Sequence, residues 1–214
     1  MDKFWKKYNL RQIAILLAAL ATVTINILAN ALPLNGQNTG EISDRFAVYF
    51  VPAGYVFSIW GLIYLGLLAY AVYQALPAQR DNPRLARIGG WFLLASLANV
   101  AWIFLWHYEF IALTLAAMLA LLVSLIAIYL RLEIGRTAVP AAERWLVRGT
   151  FSVYLGWITV ATIANVTALL YWLEWDGWGI DPQVWAVIML IAGVVIGALM
   201  ALTRGDATLS LIHI

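Results

Sequence analysis

The sequence contains no cysteine, which excludes disulfides, thiolate metal sites and thiol chemistry. Charge is scarce too. Only 11% of the 214 residues are Asp, Glu, Lys or Arg, where a soluble domain carries roughly a quarter. With 64% hydrophobic residues and a mean hydropathy of +0.86, the folded surface cannot be kept in water. A soluble enzyme, a nucleic-acid-binding protein and a disordered chain are therefore excluded. No charged residue falls well inside any long apolar run, so the proton relays and ion-coupled sites that such charges mark are not expected. The runs also hold no acid–base pair, nucleophile or metal cluster, so no catalytic residue, metal or required cofactor is expected.

What the chain has in abundance is apolar length and aromatics: 11 Trp and 10 Tyr. A bilayer core about 30 Å thick needs about 20 apolar helical residues. Six runs qualify: Arg11–Leu32, Tyr55–Leu76, Ile88–His107, Phe110–Leu130, Thr150–Leu173 and Val184–Leu202. The first follows Lys3, Lys6 and Lys7 but is too long for a signal h-region, so it reads as a retained span. The expected fold is an all-α polytopic membrane bundle. The connecting segments orient it. Lys3, Lys6, Lys7, Arg11, Arg80, Arg84, Arg87, Arg131, Arg136, Arg144, Arg148 and Arg204 all fall on one side, leaving Arg45 alone on the other with Glu41, Asp44, Glu109, Glu174, Asp176 and Asp181. By the positive-inside rule both termini are cytoplasmic. The expected partner is the lipid bilayer, and the expected location is a bacterial inner membrane.

Trp5, Trp91 and Trp145 read as one interfacial belt and Trp106, Trp172, Trp175, Trp178 and Trp185 as the other. His107, beside Glu109, reads as a solvated interfacial histidine rather than a haem ligand. Within the spans the polarity is uncharged and runs in helical stripes. Span one carries Ala19, Thr22, Asn26 and Asn30, and span two carries Phe57, Trp60, Tyr64 and Ala71. Span three carries Ser96, Asn99, Trp102 and Trp106, and span five carries Tyr154, Trp157, Ala161, Asn165, Ala168 and Trp172. Span four, almost purely aliphatic, reads as lipid-facing support. At 1.5 Å per residue from the outer end, Trp60 and Trp102 lie about 8 Å deep, Asn26 about 9 Å, Asn99 and Asn165 about 12 Å, and Tyr64 about 14 Å. Convergence of these faces would make an aromatic-walled cavity for a flat, mostly apolar ligand. The same asparagines would serve equally to tie neighbouring helices together. The outer segment Pro33–Gly54 fits either a lid over this layer or a plain connector.

Three stretches together resemble a known pattern. Pro52-Ala-Gly-Tyr-Val-Phe-Ser-Ile-Trp60-Gly-Leu-Ile-Tyr64, Leu97-Ala-Asn99-Val-Ala-Trp102 and Tyr154-Leu-Gly-Trp157-Ile-Thr-Val-Ala161-Thr-Ile-Ala-Asn165 are similar to the signatures of the TspO/MBR family. These are the tryptophan-rich sensory proteins related to the mitochondrial translocator protein. The resemblance covers about Arg11 to Trp172. It implies a five-helix unit over residues 1–173 that acts as a receptor, sensor or carrier for porphyrins, haem-pathway intermediates or sterol-like molecules. The resemblance also brings light-dependent porphyrin breakdown as an alternative activity, and a small transporter or permease subunit for a hydrophobic metabolite is the alternative from a different class. By motif match the implied pocket positions are Trp60, Tyr64, Asn99, Trp102, Tyr154, Trp157, Ala161 and Asn165, to which the depth count adds Asn26. The sequence departs from the pattern at Ala53, Tyr55 and Val153, and segment 33–54 has no tryptophan. Residues 174–206 add a sixth span whose Gly193 and Gly197 form a small-xxx-small face, suited to packing against another helix or a homodimer partner. The tail 207–214 resembles translated vector sequence, so His213 is assigned no role.

Overall fold

The computed structural model describes residues 9–50, 54–206, 208 and 209, with Tyr55 described by its backbone alone. Lys3, Trp5, Lys6, Lys7, Pro52, Ala53 and His213 lie outside the described residues. The architecture is all-helical, with no strand among the described residues. In chain order the elements are α1 (Leu10–Ala31), α2 (Thr39–Ser43), α3 (Ile59–Ala75), α4 (Pro83–His107), α5 (Ile111–Arg131), α6 (Thr150–Trp172) and α7 (Pro182–Arg204). A π-helical stretch, Arg144–Gly149, leads into α6.

Six helical runs are long and apolar enough to cross a membrane: Leu10–Ala31, Val56–Ala75, Pro83–His107, Ile111–Arg131, Ala141–Trp172 and Pro182–Arg204. They coincide with the six runs read from the sequence, except that the fifth begins nine residues before the expected Thr150, through the π-helical stretch. The third begins five residues earlier than expected because Asn82 caps it, accepting from the Arg84 N–H at 3.0 Å, and Pro83 occupies the first helical position, where a missing N–H costs nothing. Leu17, Leu65, Leu97, Leu113, Leu130 and Leu190 are all exposed. Leucines spread outward over α1, α3, α4, α5 and α7 are stable only against lipid. The protein is a multi-pass membrane protein.

Five helices close into a ring in the order α1, α3, α6, α5, α4 and back to α1, while α7 packs chiefly on α6. The core inside the ring is apolar and aromatic. Tyr70, Phe92 and Phe151 meet edge to face, with centroids 5.0 Å apart for Tyr70 with each partner. At one end α1 and α3 are tied reciprocally: Gln12 Nε2 donates to the Gln74 carbonyl at 2.7 Å and Gln74 Nε2 to the Gln12 carbonyl at 3.0 Å. The same end holds the Arg84–Glu143 pair, bonded at 2.7 and 2.8 Å. Arg11, Arg131 and Arg204 also gather there, so the described basic residues except Arg45 mark a single basic end.

One expectation is corrected. The fourth span, α5, is not lipid-facing support but a full member of the ring, packed on both α4 and α6. Its Thr114 and Ser124 are wholly buried, and two hydroxyls in an aliphatic run leave no periodic trace. α7, conversely, is the sparsely packed helix. Gly193 and Gly197 are its buried residues, yet a Cβ added at Gly193 would meet no atom within 4 Å. The contact with α6 is therefore not close enough there to need a glycine.

Candidate functional site

The end opposite the basic one is covered by the segment after α1. Asn35 takes a positive φ of 57° and Gly36 one of 78°, conformations that Asn and Gly tolerate. The chain thereby turns back over the bundle. α2 then starts with a capping box: Asn38 Oδ1 accepts from the Glu41 N–H at 3.0 Å, while Glu41 Oε2 accepts from the Asn38 N–H at 2.9 Å. This lid is fastened by His107, which is fully buried. Its Nε2 lies 3.1 Å from Thr39 Oγ1 and its Nδ1 3.0 Å from the Leu34 carbonyl. Asn35 Nδ2 donates to the His107 carbonyl at 3.0 Å, and Trp106 Nε1 donates to the Thr39 carbonyl at 3.2 Å. His107 is therefore a latch rather than a solvated interfacial residue. Trp106 likewise leaves the interfacial belt: it is buried, stacked on Trp102 with centroids 5.3 Å apart at 16°, and meets Phe46 of the lid at 5.6 Å.

Beneath the lid two hydrogen-bond chains cross the ring. In the first, Asn26 Nδ2 donates to Asn99 Oδ1 at 2.7 Å, and Asn99 Nδ2 donates to the Tyr154 hydroxyl at 2.8 Å, joining α1, α4 and α6. In the second, Trp102 Nε1 donates to Asn165 Oδ1 at 3.1 Å and Asn165 Nδ2 to Thr114 Oγ1 at 2.9 Å, joining α4, α6 and α5. The three asparagines thus bond their neighbours, as polar groups in membrane helices commonly do. Their effect is to fix the aromatic rings between them. Trp60 stacks on Tyr64 with centroids 5.6 Å apart and meets both Tyr154 and Trp157 at 6.1 Å, edge to face.

These rings wall two adjoining spaces. A small, partly open cavity of about 60 Å³ lies under Phe46, Val48 and Phe50, and its lining includes Trp60, Trp102, Trp157, Ala161 and Asn165. A larger groove of about 820 Å³ opens between α1 and α3, past Asn26, Trp60, Tyr64 and Trp102, with Glu41 and Asp44 at its rim. Thr39, Phe57, Trp60 and Trp102 belong to both walls. Asn99 and Tyr154 line neither space and stand behind the rings. Trp157 Nε1 is buried with no hydrogen-bond partner among the described residues. An unmade bond of that kind costs about 1–3 kcal/mol, and here the donor belongs to a residue on the cavity wall. No group of His, Asp and Glu that could hold a metal ion occurs among the described residues.

The profile described as TSPO-like protein matches residues 12–214. The chain belongs to the TSPO-like family. The match runs past the five-helix ring and through α7, and so extends beyond the stretch that carries the sequence resemblance. No curated protein and no solved structure matches the chain. Membership of the TSPO-like family fits a membrane binding or sensor role.

Sequence reasoning missed the lid contributions of Thr39, Phe46 and Phe50, together with Thr114, Met118 and Trp106. The Asn38-Thr-Gly-Glu41 capping box was a usable signal for a folded lid. For Thr114 no local signal exists, because its role comes from Asn165 on another helix.

Proposed function

We propose that this TSPO-like protein is a receptor or carrier for a planar hydrophobic ligand of the tetrapyrrole class. The ligand lies in the groove between α1 and α3 against the stacked Trp60 and Tyr64. The observation that carries this reading is the continuous wall of Phe57, Trp60 and Trp102 between groove and cavity. That wall is held by asparagine bridges and covered by a latched lid. The groove volume falls in the range of small-molecule sites, about 300–1,000 Å³. The smaller cavity alone holds only a few waters, so a large ligand needs the groove. The lid faces the outside of a bacterial inner membrane and the basic end faces the cytoplasm, as the positive-inside rule directs. Trp102→Leu and Asn165→Leu are expected to weaken protoporphyrin binding several-fold in protein that still folds. Unchanged affinity in both variants would remove this site.

A second reading is favoured by the rim. Glu41 and Asp44 at the groove mouth oppose the carboxylate tails of a free porphyrin and favour a neutral ligand. Such a ligand could equally be carried across the membrane as a hydrophobic metabolite. Under this reading the dimethyl ester of protoporphyrin binds more tightly than the diacid, the difference shrinks with salt, and proteoliposomes take up the neutral compound. Equal binding of ester and diacid, with no protein-dependent uptake, excludes it.

A further inference from the structure

At the basic end, remote from the groove, a cleft of about 580 Å³ opens between the α5–α6 connection, the π-helical stretch and the end of α7. Four guanidiniums line it: Arg136, Arg144, Arg148 and Arg204. Its one carboxylate, Asp206, is already engaged. It accepts from the Tyr129 hydroxyl at 2.9 Å, the Ser152 hydroxyl at 2.6 Å and the Leu209 N–H at 3.1 Å. The nearby Glu143 is bound to Arg84 through both carboxylate oxygens. Arg136 and Arg144 form no ion pair among the described residues. The local excess is therefore positive: four arginines less Asp206 and the nearby Glu133 leaves two charges.

Arg148 shows that the cleft is built rather than a chance gathering of surface charge. It is about nine-tenths buried, with 6% exposure. Its two Nη atoms hold Thr137 through the carbonyl and the hydroxyl, while its Nε–H, buried, has no partner among the described residues. Burying a guanidinium with an unmade bond is costly unless an anion completes it. The backbone supplies a second mark. Arg144, Trp145, Arg148 and Gly149 belong to the π-helical stretch, a rare conformation that is frequent at functional sites. The connection is also held tightly in place: Gly135 has a φ of +78°, and a Cβ there would sit 1.9 Å from the Arg204 carbonyl oxygen.

We propose that this cleft binds a phosphate-bearing anion. Guanidiniums present paired donors that match phosphate oxygens, and the cleft lies where three spanning helices, α5, α6 and α7, end. The same chemistry recognises a phospholipid headgroup or a free phosphorylated solute, so the test separates the two. The full chain, purified in detergent, is titrated with dioleoylphosphatidylglycerol, with dioleoylphosphatidylcholine and with inorganic phosphate, and bound species are counted by native mass spectrometry. The variant is Arg136→Gln with Arg144→Gln, both exposed, which leaves buried Arg148 and its hold on Thr137 in place. The expected result is a preference for phosphatidylglycerol over phosphatidylcholine that falls roughly five-fold for each arginine removed. Saturable binding of inorganic phosphate, lost in the variant and without a lipid preference, assigns the site to a free phosphorylated solute. Equal affinity for both lipids with no phosphate binding overturns the proposal, as does a preference that survives the double substitution.

Discussion

Replacing Asn99 by Leu separates two jobs that the hydrogen-bond chains perform, holding the bundle and shaping the wall. The side chains are close in size, so no large cavity forms. Two bonds are lost, to Asn26 at 2.7 Å and to Tyr154 at 2.8 Å. Polar pairs between membrane helices average ~0.6 kcal/mol and reach ~1.7, which puts two of them between about 1.2 and 3.4 kcal/mol. Asn26 retains its bond to the Thr22 carbonyl at 2.8 Å, which pulls the value down. Tyr154, buried to 2% exposure, loses this partner, which pushes it up. A loss of about 2 kcal/mol is expected, read as reversible unfolding in mixed micelles. A double-mutant cycle with Tyr154→Phe isolates one bond and is expected to give about 0.6–1.7 kcal/mol of coupling. Because Asn99 lines neither space, protoporphyrin affinity falls less than in Trp102→Leu. Additivity within about 0.3 kcal/mol, or a larger binding defect in Asn99→Leu than in Trp102→Leu, would refute the assignment of Asn99 as a positioning residue.

Other outcomes follow from the same geometry. His107→Ala removes the ring bonds to Thr39 and Leu34, each worth about 0.5–1.5 kcal/mol. Amide exchange over residues 34–44 is then expected to speed up roughly five-fold or more while α4 and α5 keep their protection; unchanged exchange would mean the latch holds nothing. Gly66→Ala places a Cβ 2.8 Å from Thr150 Oγ1, between α3 and α6. Such crowding costs about 1–3 kcal/mol, whereas Gly90→Ala meets nothing within 4 Å and is expected to be neutral or slightly stabilising. Equal melting temperatures for these two variants would contradict the close approach of α3 to α6.

Much of the fold was legible because a bilayer imposes its own length. Six apolar runs of about twenty residues leave few alternatives, and the helices match them to within a few residues except where Asn82 and Pro83 extend α4. The ring order was not legible, since hydropathy counts helices without saying which ones touch. The polar members of the stripes on α1, α4 and α6 did point inward: Asn26, Asn99 and Tyr154 meet in one hydrogen-bond chain, and Trp102 and Asn165 in another. What the stripes could not tell was that the asparagines face each other rather than open space. That depends on distances between helices some 50 to 70 residues apart in sequence, such as Asn26 with Asn99. Trp106 was misread for a related reason: at a span end, an aromatic anchoring in lipid headgroups and one stacked beneath a lid carry the same local sequence. Thr114 and His107 gain their roles entirely from partners on other elements.

The central claim, a planar ligand held against Trp60 and Tyr64 with Trp102 in the shared wall, is tested most directly by a dark titration of the detergent-purified protein with protoporphyrin IX and its dimethyl ester. Tryptophan quenching and the porphyrin absorption band are followed together. The account predicts saturable quenching at micromolar ligand, weakened several-fold by Trp102→Leu. Quenching that rises linearly without saturation for both compounds, or that saturates identically in Trp102→Leu, would contradict it.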